Sequence, residues 1–206
     1  MMRLYYAPRT ISIAVAIALE EAGLAYEPVL VDFQSGEQKK PQYLALNPKG
    51  RVPTLETDAG TLLTETGALL DYVAAVAPGA NLVPADPERA AQMRSVIHFL
   101  AATMHVNHAH MRRGDRWATQ QSSFDDMAAK VPETMTDCAR YFTSDCLEGD
   151  YVLGDSFSIA DPHAYMLCSW LERDNVSLDD FPEIKAYLAR MAARPSIQAV
   201  TAKGML

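Results

Sequence analysis

At 206 residues the chain is long enough to bury a substantial core, in one large domain or two small ones. Its 49% hydrophobic and 21% charged residues exclude an intrinsically disordered chain. A formal charge of -8 excludes a general field for nucleic acid or anionic lipid, so neither nucleic acid nor membrane is expected as a partner and any anionic ligand must be held locally.

The opening MMRLYY lacks the basic start and apolar run of a targeting segment, and no stretch approaches the ~18 apolar residues of a membrane span. A cytoplasmic protein is the expectation. Cys138, Cys146 and Cys168 are odd in number and form no Cys-x-x-Cys, which suggests buried, inert thiols and neither a disulfide framework nor a zinc knuckle.

In chain order, RLYY (3–6) reads as a strand, residues 12 to 22 as a helix closed by Gly23, and Pro28 to Phe33 as a second strand. After the polar stretch QSGEQKKPQ come the strands VPTLE and TLLT, divided by the turn Asp58-Ala59-Gly60, and then a helix over 66–76. The order βαβ then ββα is that of a thioredoxin-like half, which predicts a first domain over residues 1–77. PGANLVPADP (78–87) carries three prolines and a glycine and reads as a linker. Residues 88–206 then form an all-helical domain, with helices over 88–112, 121–143, 158–173 and 182–193. In FSIAD, Ser158 caps a helix with Asp161 three residues on, and Pro162 fits the first turn.

Three places can carry chemistry. Pro53 cannot donate to a sheet ladder, so its place at a strand start suggests an edge, where Val52 beside a cis bond would offer main-chain groups to an extended peptide; an ordinary trans proline is the plain alternative. Thr66 can cap the next helix while the free N–H groups of the first turn take a carboxylate, and Glu65 can take an ammonium, so the pair suits the two charges of an α-amino acid. Capping alone is the simpler role for both. In the turn Ala7 to Ser12, Thr10 and Ser12 stand where hydroxyls and a helix N-terminus favour a thiolate, with capping of the helix alone as the equal alternative.

Met2 to Ser12, ALEEAGLAYE, NPKGRVPTLE, LTETGALLDYVA, FSIAD and YLARMAARPSIQAV together resemble a cytosolic glutathione transferase, nearest the bacterial beta class, across essentially the whole chain. The resemblance implies a thioredoxin-like glutathione-binding domain, a helical domain shaping an electrophile site, and a homodimer. It implies that Val52 and Pro53 hold the cysteinyl unit of glutathione and that Glu65 and Thr66 take its γ-glutamyl end. Arg51 stands where relatives often carry glutamine, and either reaches a carboxylate or is solvated.

Beta-class members present a cysteine where this chain has Ile11, which can neither form a mixed disulfide nor donate a hydrogen bond. Ser12 is therefore the first candidate to bond the glutathione sulfur, Thr10 the second and the Tyr6 hydroxyl the third. The lysine that beta-class proteins direct to the glycyl carboxylate has no clean counterpart, with Lys39 or Lys40 as substitutes. His98, His105 and His108 fall near one helical face, but no carboxylate or thiolate joins them and no metal is expected. His105 matches the beta-class histidine near the sulfur. Asn107, His108 and Arg112, with Arg113 and Trp117, are candidates for the second-substrate pocket or the dimer cleft. The resemblance implies conjugation of glutathione, as a consumed cosubstrate, to small electrophiles. Its alternatives are glutathione-dependent reduction of disulfides or peroxides, and a non-catalytic binding protein.

Overall fold

The computed structural model describes all 206 residues, and they divide into two compact units: residues 1–84 together with 192–206, and residues 85–191. Residues 192–206, assigned to the helical half in the sequence reading, thus group with the first unit.

In the first unit β1 (Met2–Tyr6), α1 (Ser12–Glu21) and β2 (Tyr26–Leu30) form the parallel βαβ element. After α2 (Pro41–Leu46), β3 (Thr54–Glu56) pairs antiparallel with β1, and β4 (Leu62–Thr64) pairs antiparallel with β3. The sheet order is β2-β1-β3-β4, and α3 (Thr66–Val76) follows. Helix α9 (Pro195–Ala202) returns to this unit against α1. That packing explains why every residue of α1 from Ser12 to Leu19 is buried: after Ser12 the run IAVAIAL is apolar on all sides, and β1, α3 and α9 all pack against the helix.

Four sequence expectations are corrected. Strand β2 begins at Tyr26, ahead of Pro28, which sits inside it opposite Leu4; this is tolerated because β2 is an edge strand. The stretch around QSGEQKKPQ holds a 3-10 turn (Glu37–Lys39) and the start of α2, whose first residue is Pro41, where its missing N–H matters least. Strand β3 is interior rather than an edge; Pro53 avoids the ladder because pairing starts one residue later, at Thr54. Thr66 does not cap α3: Glu65 is the N-cap and Thr66 the first helical residue.

The second unit is helical: α4 (Pro87–Phe99), a π turn over Leu100–Met104, α5 (His105–His110), α6 (Gln121–Tyr141), α7 (Ala160–Cys168) and α8 (Pro182–Ala192), the last residue of which falls beyond the unit boundary. The single helix expected over 88–112 is thus α4 and α5 joined by a widened turn. Around the start of α7, Ser158 N–H donates to Asp161 Oδ2 at 2.7 Å, the carboxylate half of the exchange that the FSIAD spacing predicts; the other half is corrected, because Asp161 N–H goes to the main-chain O of Ser158 at 3.1 Å and Ile159, not Ser158, is the N-cap.

Candidate functional site

The turn from β1 into α1 is closed by its own hydroxyls. Thr10 Oγ1 donates to Ala7 O at 2.8 Å and lies 2.7 Å from Ser12 Oγ, which accepts from Ala7 N–H at 3.2 Å. Ser12 is 0% exposed, whereas Thr10 is half-buried. Ile11 is 6% exposed and Tyr6 shares the buried face of β1 with Met2 and Leu4. No acidic side chain occupies the first turn of α1, so its positive end is not neutralised by a residue of that turn.

The Val52–Pro53 peptide bond is cis. The segment before it is braced by two buried groups absent from the sequence reading: Tyr43 Oη and Asn47 Nδ2 donate to Arg51 O at 2.7 and 2.8 Å, and both also bond Thr54 Oγ1. Gly50 turns the chain here at a φ of 62°, and an added Cβ would lie 2.9 Å from the Gln38 carbonyl oxygen. Ala7 of the first turn and Val52 belong to one apolar cluster with Val31 and Tyr43. The turn and the ledge are thereby packed together. The Arg51 side chain is exposed, as are Lys39 and Lys40.

At the mouth of α3 Glu65 adopts φ 76° and ψ 121°, outside the regions open to an ordinary L residue. Its exposed carboxylate pairs with Lys49 Nζ, which also donates to Thr64 Oγ1 at 2.7 Å. Arg9, at φ 56°, is the other charged residue with positive φ; the remaining two such non-glycine residues are asparagines, which tolerate it. Strained backbone at a charged residue is characteristic of sites that hold ligands, and both instances flank the turn, ledge and helix mouth.

The other predicted residues lie in the second unit. His108 Nδ1 bonds both carboxylate oxygens of the buried Asp174, at 2.9 and 2.7 Å, and its ring stacks on Trp170 at 4.4 Å. His105 meets the same indole edge-on at 5.4 Å. Asn107 Nδ2 donates to Cys138 Sγ at 3.3 Å, and Arg112, Arg113, Trp117 and His98 are exposed. No three His, Cys, Asp or Glu side chains gather in a metal-binding arrangement. All three thiols are free and buried. Burial pushes their acidity down, with the Cys146 pKa raised to about 11 and those of Cys138 and Cys168 also raised, so none is poised as a nucleophile.

Comparison with known proteins agrees with this geometry. Residues 1–75 match the model of the glutathione S-transferase N-terminal domain and residues 115–204 that of its C-terminal domain. The chain is 60% identical to a glutathione transferase homologue from Sulfitobacter solved with bound glutathione, at a TM-score of 0.99 and covering 100% of this chain and 99% of that one. It is 29% identical to glutathione S-transferase GstA of Escherichia coli O157:H7 over 99% of this chain and 100% of the relative. The beta-class glutathione S-transferase of Sphingomonas chungbukensis superposes at a TM-score of 0.83 with 28% identity, covering 99% of this chain and 100% of that one. The chain belongs to the glutathione S-transferase family, and its likeness runs to the bacterial beta class.

Proposed function

We propose that this protein ionises the thiol of bound glutathione and transfers the sulfur to small, largely apolar electrophiles. The observation that carries the reading is the packing of a hydroxyl-bearing turn, at the unneutralised start of α1, into one cluster with the Val52 ledge. The ledge takes the cysteinyl unit, and Glu65 and Thr66 take the amino-acid end. The thiolate then forms a bond to electrophilic carbon while a leaving group or a π pair accepts the displaced electrons.

Of the three hydroxyls, Thr10 is the direct donor to sulfur and Ser12 its support. Ser12 is fully buried with its Oγ 2.7 Å from Thr10 Oγ1, so it can donate to Thr10 Oγ1 when the Thr10 hydrogen turns from Ala7 O to sulfur. Tyr6, on the buried face of β1, ranks behind both. Thr10→Val should raise the pH at which bound glutathione ionises by about one unit, or ~1.4 kcal/mol, and Ser12→Ala by less. Thiolate absorbance across a pH series measures both. A silent Thr10→Val beside a shifted Ser12→Ala would return the donor role to Ser12.

Ile11 in the turn and three buried thiols of raised pKa favour conjugation over reduction through a protein cysteine. Conjugation of a chlorinated nitrobenzene outpacing reduction of a mixed disulfide is the expected comparison. A binding protein without turnover would hold glutathione and leave its thiol pKa unchanged. The roles of His105 near the sulfur, of Asn107, His108 and Arg112 toward the electrophile, of a homodimer and of a cytoplasmic setting are carried by the family resemblance. No helix is long and apolar enough to cross a membrane. Light scattering at micromolar concentration tests the dimer.

A further inference from the structure

Residues 192–206 grip α1 at both of its ends. At the far end Arg194 Nε and Nη2 donate to the two oxygens of Glu21 at 2.7 Å each, Ser196 Oγ donates to Glu21 Oε1, and Lys203 pairs with Glu20. At the near end the contact is made by main chain. Helix α9 closes with the double bond pattern of a left-handed stop: Gly204 N–H donates to Thr201 O at 2.9 Å and Met205 N–H to Val200 O at 3.1 Å, with Gly204 at φ 72°. This turn buries Met205 completely and aims its carbonyl at the catalytic loop, where it accepts from Arg9 N–H at 2.9 Å.

Arg9 is the residue that most needs such a partner. A non-glycine side chain holds φ 56° only where its surroundings over-determine it, and Thr10 follows immediately. The direction of Thr10 Oγ1, and through it the Ser12 hydroxyl and the Ala7 N–H, depends on where Arg9 is held.

We infer that Met205 is a positioning residue for thiol activation: its carbonyl fixes Arg9 in the left-handed conformation and so keeps the Thr10 and Ser12 hydroxyls aligned for the glutathione sulfur. The inference rests on the assignment of those hydroxyls to the sulfur. It predicts that the tail affects ionisation of bound glutathione more than its affinity, because Val52 and Glu65 are held by other contacts.

Two variants test it. Gly204→Ala adds a Cβ with no heavy atom within 4 Å, so it disturbs only the left-handed backbone that aims Met205; deleting Met205 and Leu206 removes the acceptor outright. In both, the ionisation midpoint of bound glutathione should rise, by up to about one unit in the deletion, with as much as a tenfold loss of thiolate at neutral pH and a glutathione Kd within about twofold of the parent. Amide hydrogen exchange at Arg9 and Ala7 should accelerate together. An unchanged midpoint in both variants, with Arg9 exchange raised, would reduce the tail to a structural closure and overturn the inference. Failure of the parent protein to lower the thiol pKa at all would instead sink the assignment of the hydroxyls; Ala7 exchange, which reports Ser12 Oγ directly, would then decide alone whether the tail orders the turn.

Discussion

Helix α7 begins with a carboxylate of its own, whereas α1 begins with two neutral hydroxyls. Asp161 is 0% exposed and accepts from Val152 N–H at 2.9 Å, Ser158 N–H at 2.7 Å and Ser158 Oγ at 3.1 Å, while Tyr187 Oη donates to its main-chain carbonyl at 2.9 Å. That helix start is saturated and its role is structural. In α1 the same dipole faces Thr10 and Ser12, which close the turn without supplying negative charge. Helix α3 stands between the two, with an exposed acid at its N-cap whose carboxylate pairs with a lysine instead of bonding the helix. A helix that neutralises its own N-terminus commits that end to folding; one that leaves it neutral or loosely paired keeps the dipole available to an anion.

The comparison can be broken most severely at α7. Asp161→Ala strands Val152 N–H and Ser158 N–H in the core and should cost about 3–5 kcal/mol of stability, read as a fall in denaturation midpoint. The residual folded fraction should still ionise glutathione normally; loss of ionisation in folded protein would tie α7 to the chemistry. At α3, Glu65→Ala should weaken glutathione binding by about 1.5–3 kcal/mol by titration calorimetry while leaving the thiol pKa in place. Unaltered affinity would remove the helix mouth from the site.

The smallest effect sharpens the same contrast through pH. His163, one residue past Pro162 in α7, is fully buried with neither ring nitrogen bonded, and burial, with His105 adding to it, pushes its pKa down to about 3. The unfolded chain takes up that proton near pH 6.5 and the folded chain does not, so stability is lost as pH falls below ~6.5, at up to ~1.4 kcal/mol per unit. Asp161 works the other way: burial raises its pKa to about 6, so folding retains its proton and gains stability as pH drops from there toward the ordinary carboxylate value. The His163 contribution is therefore read as a difference. His163→Leu should flatten the decline between pH 6.5 and 5 relative to the parent in urea unfolding, and parallel curves would mean that the imidazole has a partner at low pH.

Much of this arrangement is legible in the sequence, and the misses share a cause. The bounds of α3 follow from TETGALLDYVA because an apolar face and a preceding strand mark them, and the bond from Ser158 N–H to the Asp161 carboxylate follows from spacing, although the N-cap itself is Ile159. By contrast α2 is six residues long and opens in a polar run, so no periodicity accumulates. Pro53 truly avoids the ladder, but one sequence position separates an edge strand from an interior strand that starts after its proline. Thr10 and Ser12 are two residues apart, and only packing decides that Ser12 faces inward. Tyr43, Asn47 and Met205 act on main-chain groups, a kind of contact that leaves no residue signature. The strained Glu65 and Arg9 are likewise invisible, since a left-handed glutamate or arginine looks like any other.

The Glu21 to Arg194 pairing joins residues 173 positions apart. On the ribosome, the segment through Pro84 emerges long before its last helix, so α1 waits through the synthesis of the entire helical unit with its outer flank bare. The turn from β1 into α1 is thus among the final parts of the molecule to be set, and a nascent chain halted inside α8 would carry the ledge and the helix mouth without the Met205 carbonyl that holds Arg9.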